Sequence, residues 1–132
     1  MVVSCGIDTE EIFRFRKHIN DFSDSLFVKT ILSEREIENY KLFPLLQCLP
    51  LSFCCKEAVF KALGESWTTC PITWKDIELI FNKEPLFNDF QIVLNNYALT
   101  LYDRMNVTNT ISSYNIKNDY VTFEIILVND KN

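Results

Sequence analysis

Lys56-Glu57-Ala58-Val59-Phe60-Lys61-Ala62-Leu63-Gly64 is the stretch from which the rest of the chain can be read. With Phe53 before it, Ala58, Val59, Phe60, Ala62 and Leu63 form one wide apolar face, as in a helix packed into a core. Gly64 stands just past the end, where a left-handed cap favours glycine. Pro50 and Ser52 precede this helix. Glu57 and Lys61 are four apart and so share a face. Alone, that spacing describes an ordinary surface ion pair worth about a few tenths of a kcal/mol.

Upstream, Val2 to Ile7 is β-rich and reads as a strand with Gly6 near its end. Asp8 and Thr9 stand at the strand exit, and either can cap a helix. Ile12, Phe15, Ile19 and Phe22 recur at roughly helical spacing, which predicts a helix from Glu10 to about Asn20. Its other face carries Arg14, Arg16, Lys17 and His18. Ser33 and Glu36 form a capping box that opens a helix from Glu34 to about Leu42, and Pro44 marks the break after it.

Downstream, Ile72 to Phe81 reads as a strand with alternating faces, and Asn82-Lys83-Glu84-Pro85 as a turn. Gln91 to Leu94 reads as a short strand and Tyr97 to Met105 as a helix. Thr110 to Ser113 and Tyr120 to Val128 read as two strands, with Tyr114 to Asp119 as the hairpin loop between them. The expected class is α+β, a mostly antiparallel sheet packed against a long helix.

The chain has 132 residues, which fits one domain over 1–132. A net charge of −5 argues against a generally basic nucleic-acid binder. No stretch of about 18 uncharged apolar residues predicts a membrane span. The amino-terminal stretch lacks the basic start and apolar run of a signal peptide. Five cysteines include no Cys-x-x-Cys pair, and His18 is the only histidine, so a zinc site is not expected. Reduced, mostly buried thiols in a cytoplasmic protein are the plain reading.

A second segment, Gly6-Ile7-Asp8-Thr9-Glu10-Glu11, is acidic at a strand end. By itself it describes carboxylates favoured at a helix start by the macrodipole. Together with Lys56-Glu57-Ala58 and Lys61 it resembles the two motifs of the phosphopantetheinyl transferase superfamily. Those motifs are Gly-Ile-Asp at a strand exit and, later, Lys-Glu-Ala with a second Lys four residues after the Glu. The run from Gly6 to Phe15 looks like the opening of the holo-acyl-carrier-protein synthase branch. Ile31-Leu32-Ser33-Glu34-Arg35-Glu36-Ile37-Glu38 and Trp74-Lys75-Asp76-Ile77-Glu78 resemble later segments of that branch. The similarity runs in order through most of the chain and thins in its last third.

The resemblance implies a 4'-phosphopantetheinyl transferase fold and a Mg2+-dependent transfer. The phosphopantetheine arm of coenzyme A would move to a serine of an acyl carrier protein, releasing 3',5'-ADP. It implies Asp8 and Glu57 as metal ligands, with Glu10 as a further possibility from the surfactin-type transferases. Glu57 would take the serine proton and Lys61 would stabilise pyrophosphate charge. Lys56, Lys61, Lys83, Pro85, Ser112 and Ser113 would contact coenzyme A. Arg14, Arg16 and Lys17 would dock the acidic carrier, with Lys29 as a lesser candidate. A cytoplasmic homotrimer serving fatty-acid synthesis is the implied setting.

Three positions depart from the family pattern. Its Gly-Arg-Phe-Ala-Ala-Lys-Glu-Ala reads here Leu51-Ser52-Phe53-Cys54-Cys55-Lys56-Glu57-Ala58, so an Arg is replaced by Ser52 and a phosphate-binding charge is expected to be missing. Its Asn-Gly-Lys-Pro turn reads Asn82-Lys83-Glu84-Pro85. Its late Ser-x-Ser/Thr-His reads Thr110-Ile111-Ser112-Ser113, or one step on Ile111-Ser112-Ser113-Tyr114, and the His is absent. These losses open the alternative of a catalytically impaired relative that binds coenzyme A or a carrier protein.

Overall fold

The computed structural model describes residues 1–64 and 71–131. Its first strand, β1 (Val2–Glu11), runs four residues past the expected end at Ile7. The last strand of the chain, Tyr120–Val128, lies antiparallel beside it from Val2↔Val128 to Glu11↔Tyr120. Asp8 to Glu11 therefore find backbone partners that their polar side chains did not advertise. The helix expected from Glu10 is replaced by a 3-10 helix over Ile12–His18, which starts only where strand pairing stops. Ile12 N there donates to Asp119 O at 2.8 Å.

A second 3-10 turn (Phe22–Asp24) leads to α1 (Leu26–Ile31), a segment the sequence left unassigned. α2 (Glu34–Tyr40) opens on the expected Ser33/Glu36 capping box. α3 (Leu45–Ala62) is the long helix, and it begins well before Pro50. Pro50 lies inside it and removes the amide that would bond the Leu46 carbonyl. Apolar contact on most of its circumference keeps the helix continuous there. Leu49, Leu51, Cys54, Cys55, Ala58 and Phe60 are all buried.

The expected strand over Ile72–Phe81 is divided. Thr73 and Asp76 form a second capping box, and Trp74–Asp76 becomes a 3-10 turn. Only Ile77–Phe81 (β2) is strand, and all five of its residues are buried instead of alternating. α2 and α3 pack against it. β2 pairs antiparallel with β3 (Phe90–Leu94), and α4 (Asn96–Arg104) follows. β4 (Asn109–Lys117) and β5 (Tyr120–Val128) form a hairpin whose turn is only Asn118-Asp119. The expected loop over Tyr114–Asp119 is thus mostly strand. Asn118 takes the left-handed φ of 56° that the tight turn needs, a conformation asparagine tolerates.

The larger sheet has the order β1-β5-β4, and α3 lies across its inner face. Val121, Phe123, Ile125 and Leu127 of β5 point into that core. The approach is tight at Gly6. A Cβ there would sit 1.9 Å from Ala58 O and 2.8 Å from Ala62 N. Only glycine lets the backbone of α3 rest on β1 at this point. The class is α+β, with both sheets antiparallel.

The fold also sorts the cysteines. Cys48, Cys54 and Cys55 are buried and Cys5 is exposed, while Cys70 lies outside the described residues. Burial pushes the Cys48 thiol up to about 12 and raises Cys54 and Cys55 further. Of these four thiols, only Cys5 should react with an alkylating reagent at pH 8 in the native protein. Peptide mapping that finds Cys54 or Cys55 labelled at a comparable rate would contradict this packing.

Candidate functional site

β1 and α3 carry the functional side chains because they touch. On β1 the inward period of two places Gly6, Asp8 and Glu10 on one face. On α3, Phe53, Glu57 and Lys61 follow one another at four-residue steps. The close contact at Gly6 brings these two rows together. Lys61 Nζ reaches Asp8 Oδ1 at 3.1 Å and also donates to the Ile7 carbonyl at 3.0 Å. The expected ion pair of Glu57 with Lys61 is thus not the only one open to this lysine, which spans from helix to strand. Cys54 Sγ donates to Asp8 O at 3.0 Å and helps fix the strand there.

The other oxygen of Asp8 explains what the site lacks. Asp8 Oδ2 is buried, and among the described residues no N–H or hydroxyl donates to it. Beside it, Glu10 is pushed up to about 7. Burial is the main cause, then its hydrogen bond and charge contact with Asp8, and finally the charge of Glu57; Arg14 opposes the shift. Arg14 Nη1 lies 2.6 Å from Glu10 Oε1. Three carboxylates, Asp8, Glu10 and Glu57, therefore crowd one corner. A proton on Glu10 or a bound cation relieves such crowding.

A buried carboxylate oxygen without a donor, as Asp8 Oδ2 is, suits a hard divalent cation. Among the described residues, no three His, Cys, Asp or Glu side chains form a preformed metal cage.

The sign of the Glu10 effect on stability is fixed by its shift. Folded Glu10 holds its proton more tightly than at the ordinary value of 4.5. The stability it contributes is complete below about 4.5 and is lost as pH rises through about 7. In chelator, the melting temperature should fall between pH 5 and pH 8, and Glu10→Gln should flatten that fall. An equal slope in the variant would remove Glu10 as its source.

Behind the site lies a network that the sequence did not show. Glu36 is fully buried and accepts five hydrogen bonds. Oε1 takes Lys56 Nζ at 2.8 Å and Ser33 N at 3.1 Å. Oε2 takes Ser52 Oγ at 3.0 Å and Leu79 N at 3.0 Å. It also shares the Tyr40 hydroxyl proton, at 2.9 Å, with the Leu79 carbonyl at 2.6 Å. Lys56 further donates to the carbonyls of Trp74, at 3.0 Å, and Ile77.

Two expectations change here. Lys56, expected at coenzyme A, is wholly enclosed and saturated by protein oxygens. Ser52, read as a lost phosphate contact, faces Glu36 in the interior, so its change from Arg alters a buried network. The Ser33/Glu36 capping box was visible in the sequence. The partner of its Glu, 20 residues away, was not.

The remaining expected residues stand elsewhere. Lys83 is exposed, 3.8 Å from Asp89. Pro85 is buried, and its carbonyl accepts the Tyr114 hydroxyl. Tyr114, the residue at the missing His in one alignment, thus ties β4 to the turn, and burial pushes it up to about 12. Ser112 faces an inner cavity of about 380 Å³ beside Val59, Leu63 and Tyr102. Ser113, its neighbour on the strand, faces outward, so the two cannot contact one ligand from the same side. Arg14, Arg16 and Lys17 are exposed on the 3-10 helix with Phe13 and Asn20. His18, beside them, stacks on Phe27 with centroids 4.4 Å apart and meets Ser25 Oγ at 3.1 Å.

Comparison with known proteins agrees with this architecture. The family model of the 4'-phosphopantetheinyl transferase superfamily matches residues 4–115. A holo-[acyl-carrier-protein] synthase of Natranaerobius thermophilus is 34% identical over 113 residues, 82% of this chain and 82% of the relative. That of Chloroherpeton thalassium is 36% identical over 80 residues, 60% of this chain and 64% of the relative, so the match spans just under two thirds of that protein. The solved holo-[acyl-carrier-protein] synthase of Neisseria meningitidis superposes with a TM-score of 0.79 at 16% identity, covering 98% of this chain and 100% of its own. The Helicobacter pylori enzyme, solved in complex with coenzyme A, gives 0.68 at 22% identity, covering 94% and 99%. Fold, motif residues and family match converge: the chain belongs to the 4'-phosphopantetheinyl transferase superfamily.

Proposed function

We propose that this chain is a holo-acyl-carrier-protein synthase, one transferase domain over residues 1–132. Its reaction moves 4'-phosphopantetheine from coenzyme A to a serine of an apo acyl carrier protein in the cytoplasm, in support of fatty-acid synthesis. The observation that carries the reading is Asp8, held by Lys61 on one oxygen and orphaned on the other, beside Glu10 and Glu57. Asp8 and Glu57 would hold magnesium. When bound, such a cation neutralises charge on the pyrophosphate oxygens.

The chain's own groups carry the rest. The serine oxygen bonds to phosphorus as the pyrophosphate P–O bond breaks and 3',5'-ADP leaves. The Glu57 carboxylate accepts the serine proton, directly or through a water. Lys61, half exposed beside Asp8, stabilises charge on the departing phosphate. Arg14, Arg16 and Lys17 attract and orient an acidic carrier surface.

A homotrimer fits the uncovered outer face of the larger sheet. Ile7 and Ile111 are more than half exposed there, Ile111 opposite Ile126 of β5 and Ile7 opposite Glu124. Burying that apolar face between copies would also bring Lys83, Pro85 and Ser113 of one chain toward the nucleotide of a neighbour. Ser112 would not be among those contacts.

The test is a transfer assay read by mass spectrometry. With coenzyme A, magnesium and an apo acyl carrier protein, the carrier should gain about 340 Da, one phosphopantetheine. Chelator should stop the gain. A folded protein that binds carrier or coenzyme A but transfers nothing to several carriers would instead be a binding module that has lost the chemistry.

A further inference from the structure

The cavity that Ser112 faces lies apart from the carboxylate corner. Val59 and Leu63 reach it from α3, each two residues from Lys61 and so about 200° around the helix from it. Lys61 meets Asp8 on one side of α3, and the cavity opens on the other. Apolar side chains of α3, β3 and β5, among them Val59, Leu94 and Ile125, form its walls. Leu99 of α4, 42% exposed, marks its mouth.

β4 explains why there is room. Its inward positions are Thr110, Ser112, Tyr114 and Ile116. Tyr114 and Ile116 are large and pack against the core, while Thr110 and Ser112 are small. Space is left at their end of the strand, and Ile92 and Leu94 across from it are only half buried. The cavity measures about 380 Å³. An apolar cavity of about 150 Å³ takes a benzene ring, so by the same measure this one has room for about ten to fifteen carbon atoms.

The lining also says what kind of molecule fits. It includes no Asp, Glu, Lys, Arg or His. A carboxylate or ammonium inside would give up its water and gain no counter-charge. Polar groups are present on one wall only, and they are hydroxyls. Tyr102 Oη and Thr110 Oγ1 lie 2.9 Å apart, and Ser112 follows two residues along the strand. When one hydroxyl of that pair donates to the other, a proton and lone pairs remain for a third group. Apolar walls with a few convergent polar groups, at this volume, are the usual form of a small-molecule site.

We propose that this cavity binds an uncharged aliphatic chain of about ten carbons that carries one hydroxyl or ester group. The chain lies along Val59, Leu94 and Ile125, and its polar group meets Tyr102, Thr110 and Ser112. Its occupant supports from behind the turn of α3 that presents Lys61. Occupation does not depend on the proposed function.

Nuclear magnetic resonance titration of the whole chain with 1-hexanol, 1-octanol and 1-decanol tests this. Binding should saturate, and Kd should fall about four-fold for each added methylene. Bound 1-decanol should show Overhauser contacts to the methyl groups of Val59, Leu94 and Ile125. Decanoate at pH 8 should bind at least about ten-fold more weakly than 1-decanol, because its charge has no partner inside. Methyl decanoate should bind as well, and the tighter of the two neutral probes identifies the polar group. Ser112→Leu fills the cavity from within and Leu99→Trp covers its mouth from a half-exposed position. In each variant that melts cooperatively, the 1-decanol Kd should rise at least about ten-fold through lost space. No saturable binding of 1-decanol by the wild-type chain overturns the site. Decanoate binding as tightly as 1-decanol overturns the uncharged class. Undiminished binding in the folded variants, or contacts to Ile7 and Ile111 on the outer sheet face instead, overturns its place.

Discussion

Glu36→Ala is expected to lower the unfolding free energy by about 3–5 kcal/mol from the broken ion pair alone. Lys56 would keep its charge in a fully buried position, with only the carbonyls of Trp74 and Ile77 left as partners. Ser52 Oγ and Leu79 N would lose their acceptor, and each stranded donor adds about 1–3 kcal/mol. The sum approaches the whole stability of an ordinary domain, about 5–15 kcal/mol. Urea denaturation should therefore show a much lower midpoint or no folded baseline. The control is the double variant Glu36→Gln with Lys56→Met, which removes both charges and keeps the shapes. It should be more stable than Glu36→Gln alone. A double variant no better than the single one would show that the pair is not what the neighbours depend on.

Glu57→Gln should reduce kcat/KM for carrier modification by at least about 100-fold, the lower range for loss of a positioned general base. The substitution also weakens the carboxylate corner that the cation needs, so the true loss should exceed that figure. Asp8→Asn should have an effect of the same order, through cation affinity. Neither variant should be markedly unstable. The ion pair of Asp8 with Lys61 is half exposed on the lysine side and contributes little. In metal-free buffer, Asp8→Asn relieves the crowding around Glu10. Loss of turnover with an unchanged or raised melting temperature separates a chemical role from a structural one. Transfer at the wild-type rate in either variant would sink the proposed mechanism.

What the sequence disclosed was local. The C-terminal part of α3 was legible because Ala58, Val59, Phe60, Ala62 and Leu63 define its face within a few residues. Its start was not, because Pro50 reads as a boundary when its neighbours are ignored, and burial of Leu49 and Leu51 overrules it. Asp8 was legible as a site residue only beside Gly6 and the later Lys-Glu-Ala. The strand beneath it was read too short, since its pairing comes from β5. Lys56 shows the same limit. Its motif position marked it for the substrate, while the side chain turns inward to a Glu presented by a different helix. Arg14 and Glu10 were each noticed for a separate role, and their pairing across the end of β1 was not read although they stand four apart.

The pairing of β1 with β5 has a consequence in time. Thr9 and Thr122, joined through their hydroxyls across that ladder, are 113 residues apart in sequence. The β4–β5 hairpin, closed by a two-residue turn, needs no such wait. Loop closure over so long a separation is slow and comes late. On the ribosome β1 emerges before every other element, yet has no strand to join until β5 is translated. Until then Asp8 and its neighbours remain solvated. The carboxylate corner is thus among the first parts of the molecule to be made and the last to take shape, so a chain stalled before β5 would lack its Asp8 scaffold.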